Sequence, residues 1–247
     1  MMSAMMDGFN IVFYSKTHKY MPSILHQSQG VRVILSKGMD VIFNGHLVHG
    51  GGKSRINRKG DLLRDDRLFY YVWSKGNTSQ KEDGGKVYHK HIPMCSSYQK
   101  RECKCEECYL GVQSVLDLSK VCIKDLSEGD TIVGNLEYLG WAVVKGVEIS
   151  MNLHVTLQQI MKKGKWNRIG KDHGAVQKFN SDGLSKSYRN WILNEEVKEY
   201  CDDVQSRVIN KCLACDEYEI GYRNILSNHF VNTTDQIPHT DYKVSMK

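Results

Sequence analysis

Between residues 31 and 73 the apolar and polar positions are patterned as short strands broken by turns. Val31-Arg32-Val33-Ile34-Leu35 is rich in β-branched residues and predicts a strand. Lys37-Gly38-Met39 predicts a turn, Asp40 to Asn44 a second strand, and Leu47-Val48-His49 a third, short one. Gly50, Gly51 and Gly52 end that run, where glycine permits positive φ and close backbone approach. After a charged stretch over 53–67, an aromatic strand runs from Leu68 to Trp73 and is opened by Arg67. The two-residue period of a strand puts Arg67, Phe69, Tyr71 and Trp73 on one face. The polar, glycine-bearing stretch Ser74–Lys86 predicts a disordered link.

Against this pattern, one pair near the other end of the chain suggests chemistry. His239 and Asp241 are two residues apart, so on a strand their side chains converge on one side. A distant histidine would complete a 2-His-1-carboxylate set, which caps one face of Fe(II) and leaves positions open for other ligands. His49 is the candidate because it sits where the strand run meets the glycines; His46 is its rival. Each motif alone has a plainer reading. A His-x-Asp is commonly a surface turn or a salt-bridged pair, and His49 could be a loop histidine. Arg67, if its face lines a barrel, could grip an anion with a bidentate fork. Arg64 and Arg58 are the alternatives, and a solvated basic loop is the bland reading of all three.

Pro238-His239-Thr240-Asp241-Tyr242 and the segment Gly30–Gly52 each resemble half of an active site in the Fe(II)/2-oxoglutarate-dependent oxygenase family. In that family the His-x-Asp half comes first; here it follows the distal histidine. The chain therefore resembles a circularly permuted member with a phytanoyl-CoA-hydroxylase-like, cupin-type barrel. Glu137-Tyr138-Leu139-Gly140-Trp141-Ala142-Val143-Val144-Lys145-Gly146-Val147 is similar to the family's opening strand. A helix-compatible run, Leu153–Met161, follows it, then a basic loop, a second helix over about 194–213, and a strand over Glu217–Ser227. Read from about 126 to 247 and then from 1 onward, the elements fall in the family's order, with Phe9–Tyr14 among the middle strands. Three departures stand out: the order itself, Gly38-Met39-Asp40 in place of the more common Gly-Asp pair, and a long spacing from His49 to Arg67.

The resemblance implies an α+β fold, a double-stranded β-helix (jelly-roll, cupin-like) flanked by helices in circularly permuted order. Residues 1–75 would form the C-terminal half of the barrel. Residues 126–247 would form the N-terminal half, and 76–125 a connecting segment, together making one catalytic domain. Termini of compact domains often lie close together, so permutation is physically tolerable; the halves could also pair between chains in a swapped dimer. The resemblance further implies iron on His239, Asp241 and His49, and 2-oxoglutarate as cosubstrate with its far carboxylate on Arg67. O2 would take the remaining position, decarboxylation would yield succinate, and a substrate C–H bond would be hydroxylated. The carboxylate at 241 argues against halogenation, for which the family gives up that ligand. Tyr222, Asn224 and Tyr242 are candidates for the pocket wall, or simply barrel packing.

Composition narrows the setting. At 247 residues the chain suits one barrel-sized domain or one with an insertion. It has no apolar run near the length of a membrane span, and its opening Met-Met-Ser-Ala-Met-Met is too short and uncharged for a signal peptide. An intracellular protein, cytoplasmic or nuclear, is expected, as a monomer or swapped dimer. The net charge of +6 is concentrated in 53–67 and in Lys162–Lys171, where Trp166 stands inside a basic run. That combination suits a polyanion, so a nucleic-acid base is the favoured substrate. A protein side chain or small metabolite is the alternative if the run is only a solvated loop.

Cys95-x7-Cys103-x-Cys105-x2-Cys108 can supply four thiolates to a structural zinc, with His89 and His91 as substitutes. Such a site would order a segment with little core of its own. Free thiols or disulfides are the alternative, and a reducing compartment disfavours the latter. Cys212 and Cys215 could join this site or form another, but their place at a helix end ahead of a strand favours ordinary half-buried thiols; Cys122 and Cys201 are expected to be structural. Two rival functions follow from the same features: a non-catalytic, zinc-stapled cupin-like binding module, and a barrel using another divalent metal without 2-oxoglutarate, such as a metal-dependent isomerase.

Overall fold

Two antiparallel sheets face each other across a shared apolar core, with few helices. The structure, a computed structural model, describes residues 1–4, 7–26, 29–52, 55–56, 62–63, 65–74, 90–95, 123–125, 128–145, 150–163, 165–168, 176–180, 199–200, 202–203, 206, 209–210, 218–228 and 237–241. The first half holds β1 (Met2–Ala4), β2 (Phe9–Tyr14), β3 (Gly30–Leu35), β4 (Met39–Phe43), β5 (His49–Gly51), β6 (Arg55–Ile56), β7 (Leu62–Leu63), β8 (Asp65–Ser74) and β9 (Lys90–His91). Then come β10 (Ile123–Asp125), α1 (Gly129–Tyr138), β11 (Trp141–Lys145), α2 (Met151–Lys163), β12 (Lys165–Arg168), β13 (Val176–Asn180), β14 (Tyr218–Asn228) and β15 (His239–Thr240).

One sheet runs β10-β11-β4-β1-β8-β14-β13-β12 and the other β3-β2-β5-β15-β9, with β6 and β7 as a separate pair. All pairings between these strands are antiparallel except β10 with β11. Taken from β14 through β15 and then from β1 onward, the chain visits the larger sheet, the smaller, the larger, the smaller twice, the larger, the smaller and the larger. The eight strands so visited form one contiguous block in each sheet, β4-β1-β8-β14 and β3-β2-β5-β15.

Strand alternation explains the core. Phe9, Ile11 and Phe13 of β2 point inward and join Val33, Leu35, Val41, Phe43, Phe69 and Trp141 in one buried cluster contributed by both sheets. Val12 and Tyr14 point the other way, to a second cluster with Leu25, Val48 and Ile92. β2 is thus buried on both faces, which is why its sequence is nearly continuous in apolar residues, whereas the edge strand β3 leaves Arg32 and Ile34 exposed. Ala142 and Val144 alternate with Trp141 and Val143 yet are buried too, so β11 is likewise covered on both faces.

Several sequence expectations shift by a few residues. The third strand begins at His49 rather than ending there, and Gly50 and Gly51 are strand residues. None of Gly50, Gly51 and Gly52 has positive φ. What the segment requires is close approach: a Cβ on Gly52 would overlap the Asn10 carboxamide. Gly38 does adopt positive φ, 78°, as the predicted turn demands. Ser74 ends β8 and so belongs to a strand, not to the expected disordered link; residues 75–89 lie outside the described residues. The stretch expected as a basic loop contains β12, which pairs with β13 from Lys165↔Asn180 to Arg168↔Gln177; cross-strand pairing satisfies the backbone there. Helix α2 starts ahead of the expected Leu153 because Ser150 caps it, accepting from the Leu153 N–H at 3.1 Å. The described residues between 199 and 210 are helical, within the second predicted helix.

Candidate metal centre

β15 lies between β5 and β9, and His239 is in direct register with His49 on one side and His91 on the other. Directly opposed residues of an antiparallel pair share a face. The His49 and His239 rings accordingly lie 4.7 Å apart, centroid to centroid. Past the short strand the chain bends, and the Asp241 N–H donates to the Gly45 carbonyl at 3.0 Å. That tie brings the carboxylate back beside the two rings. Thr240 alternates away and is buried.

The ligand atoms of His49, His239 and Asp241 all lie within 4.8 Å of one another, and all three residues are buried. His49 Nε2 is 3.6 Å from Asp241 Oδ2, and His239 Nε2 is 3.9 Å from Oδ1. These separations exceed good hydrogen-bond distance. Three ligands each about 2.0–2.2 Å from a common ion lie about 3 Å apart, so a modest inward rotation would close the set on a metal.

The second nitrogen of each ring sets its tautomer. His49 Nδ1 donates to the Leu47 carbonyl at 3.0 Å, and His239 Nδ1 donates to the Ile237 carbonyl at 2.8 Å. A carbonyl can only accept, so in the neutral ring the proton resides on Nδ1 and the lone pair on Nε2, the atom that faces Asp241. Backbone carbonyls commonly orient metal-ligating histidines in this way. The His49 ring is further held by Phe43, at 4.6 Å, and Phe13, at 6.4 Å. The donor set, two neutral imidazoles and a carboxylate, fits a first-row divalent metal. His46, the rival, is exposed on the preceding turn, its N–H bonded to Asn44 Oδ1, and is not among the converging ligands.

Arg67 is buried at 2% exposure. Its register partners are Ala4 and Leu226, and its guanidinium lies 4.9 Å over the Phe9 ring. It shares the inward face with Phe69, as the alternation predicts. Arg58 and Arg64 lie outside the described residues. So do Cys103, Cys105, Cys108, Cys122, Cys212, Cys215, His89 and Tyr242, and Cys201. Cys95 is described and buried, and β9 brings His91 into register with His239. Tyr222 and Asn224 take positions in β14.

Two features near the centre were not foreseen. Asp40 is buried on the outward face of β4, opposite Ser3 of β1 and Val144 of β11. Burial raises its carboxyl to about 7, against a lowering by the Ser3 hydroxyl and by the nearby α-amino group. Among the described residues neither carboxyl oxygen has a hydrogen-bond partner of acceptable geometry, and burial prevails. Burial likewise lowers the Met1 α-amino group to about 5, although Asp241 and Asp40 both favour its charge. The second feature is a cavity of about 270 Å3 with Asp241 in its wall. An acid within a strand of otherwise apolar residues was the available signal for Asp40; nothing in the sequence marked the cavity.

No protein-family model, curated protein or solved structure matches this chain.

Proposed function

We propose that the chain is an Fe(II)- and 2-oxoglutarate-dependent dioxygenase that hydroxylates a C–H bond, built on a circularly permuted double-stranded β-helix. The observation that carries this reading is the convergence of His49, His239 and Asp241, with both histidine Nδ1 atoms tied to carbonyls. The alternation of strands between two four-strand blocks supports the barrel part of it, since a jelly roll divides eight strands between two sheets.

When bound, iron with 2-oxoglutarate and O2 supplies the oxidant, and the cosubstrate leaves as succinate and CO2. The chain's own residues do the rest. His49 and His239 would offer Nε2, and Asp241 a carboxylate oxygen, to the ion. Leu47 and Ile237 carbonyls hold the rings in the binding tautomer. Burial of all three keeps bulk water from competing for the site. Arg67 is the arginine among the described residues that is buried in the core. It is assigned to the far carboxylate of 2-oxoglutarate, where a guanidinium can bind through two parallel hydrogen bonds.

Anaerobic visible absorption with Fe(II) and 2-oxoglutarate tests the reading, run beside His239→Ala, His49→Ala and His46→Ala. A charge-transfer band is expected in the parent and in His46→Ala and lost in the other two. An iron-loaded, folded parent without a band would overturn the 2-oxoglutarate assignment and favour a metal enzyme of another class. A folded parent that takes up no metal would favour the binding-module reading.

A further inference from the structure

The cavity beside Asp241 lies against the outward face of the larger sheet, with Phe43 of the core between the sheets also in its wall. Its floor includes Ile42 of β4 and Val72 of β8, and its sides include Leu136 of α1 and Ile209 from the helical stretch beyond 199. Phe43, Asn44 and Gly45 line it together with Asp241, and Gly45 is the residue whose carbonyl receives the Asp241 N–H. The cavity therefore borders the candidate metal centre at one residue, Asp241. Its other polar side chain is Tyr218 of β14.

Among the described lining residues there is no lysine, arginine or histidine. With Asp241 engaged by the metal, a charged group placed there would lose its hydration without a charged side chain to pair with. Asn44 and Tyr218 can each exchange a hydrogen bond with a neutral polar atom. The volume lies just under the range of about 300–1,000 Å3 that holds drug-sized ligands, so it suits one ring system or a short alkyl chain. The basic strand β12 lies at the opposite edge of the same sheet, five strand spacings from β4, or about 24 Å at 4.7–4.9 Å each.

We infer that the cavity receives an uncharged, mainly apolar group of a substrate and delivers it to the metal at Asp241. This rests on the metal-centre reading above and names the substrate class for it. The basic hairpin β12–β13 is then no part of the pocket that grips the reacting group.

The test uses the full chain loaded with Mn(II), whose unpaired electrons speed the relaxation of nearby protons. Indole is the neutral probe, and 2′-deoxyadenosine 5′-monophosphate the charged one. Enhanced relaxation of the indole ring protons is expected in the parent. It should be abolished in Ile42→Trp and in Leu136→Trp, each of which fills the cavity, while Mn(II) uptake is retained. Leu136 is only half-buried, so its replacement keeps the test sound should Ile42→Trp fail to fold. Mn(II) uptake without any effect on indole would overturn the inference and leave the metal centre standing. Enhancement on the nucleotide instead would overturn it in favour of a nucleic-acid substrate. Failure of the parent to take up Mn(II) would remove the metal centre and this inference with it.

Discussion

Asp40→Asn should make the protein more stable at pH 8 and change little at pH 4. The carboxyl is 1% exposed and is raised from its ordinary 3.8 to about 7, chiefly by burial. The folded state therefore keeps a proton that the unfolded chain releases near pH 4. Over this window the folded state binds more protons, so stability falls as pH rises from about 4 to about 7 and then levels off. A shift of about three units corresponds to about 4 kcal/mol. That figure is an upper bound, since structural relaxation and water entry would reduce it. Asparagine has the shape of the protonated carboxyl and cannot ionise, so it removes the pH-dependent cost while keeping a neutral polar group in place. Urea denaturation of both proteins at pH 4, 6 and 8 reads the effect. The difference in unfolding free energy should swing toward the variant by up to about 4 kcal/mol between the first and last. A constant difference across the series would show that Asp40 is ionised and satisfied in the folded protein, and the argument from burial would fail.

Saturating Fe(II) or Mn(II) should raise the thermal midpoint of the parent, since a ligand at 100 times its Kd adds about 2.7 kcal/mol; scanning calorimetry should show the rise in His46→Ala but not in His49→Ala. Arg67→Met should weaken 2-oxoglutarate binding by at least about tenfold, as loss of a charge-assisted hydrogen bond worth about 1.5–3 kcal/mol implies, and leave metal uptake intact; equilibrium titration separates the two. Gly140→Ala should destabilise by about 1–3 kcal/mol. Gly140 has φ of +87°, and a Cβ there would lie 2.5 Å from His18 Nδ1 and 2.8 Å from Leu47 Cδ1; an unchanged denaturation midpoint would contradict this. Phe13→Ala should cost about 3–5 kcal/mol, because the Phe13 ring stacks on Trp141 at 5.1 Å and packs against Phe43 at 5.4 Å in the core between the sheets.

Local pattern and tertiary context contributed differently to different parts of the molecule. The strand over 31–35 was legible because β-branched runs before a turn have few other stable arrangements, whereas Phe9–Tyr14 was expected only through the family resemblance. The Lys37-Gly38-Met39 turn was legible because glycine alone takes its positive φ without strain. β12 was not, because Lys165-Trp166-Asn167-Arg168 lacks the apolar alternation of a half-buried strand; its order comes from pairing with β13. The choice of His49 over His46 could be argued from position but not decided, since both are histidines in one turn-and-strand segment. Packing decides it: one ring is clamped by Phe13 and Phe43, and the other residue is left at the surface.

By itself, then, the sequence named His239, Asp241 and His49 as candidate metal ligands and predicted one side for the first two from a strand's two-residue period; the strand in fact ends at Thr240, and the bond from the Asp241 N–H to the Gly45 carbonyl brings the carboxylate back. The sequence also determined that Arg67 and Phe69 face alike. Only the tertiary structure decided that His49, 190 residues earlier in the chain, stands in register with His239. It alone determined that Leu47 and Ile237 carbonyls fix both tautomers and that an apolar cavity adjoins Asp241. The physical reason is that register between distant strands, and the space left between a sheet and the helices over it, depend on how all the side chains pack at once. No short window of sequence contains that information.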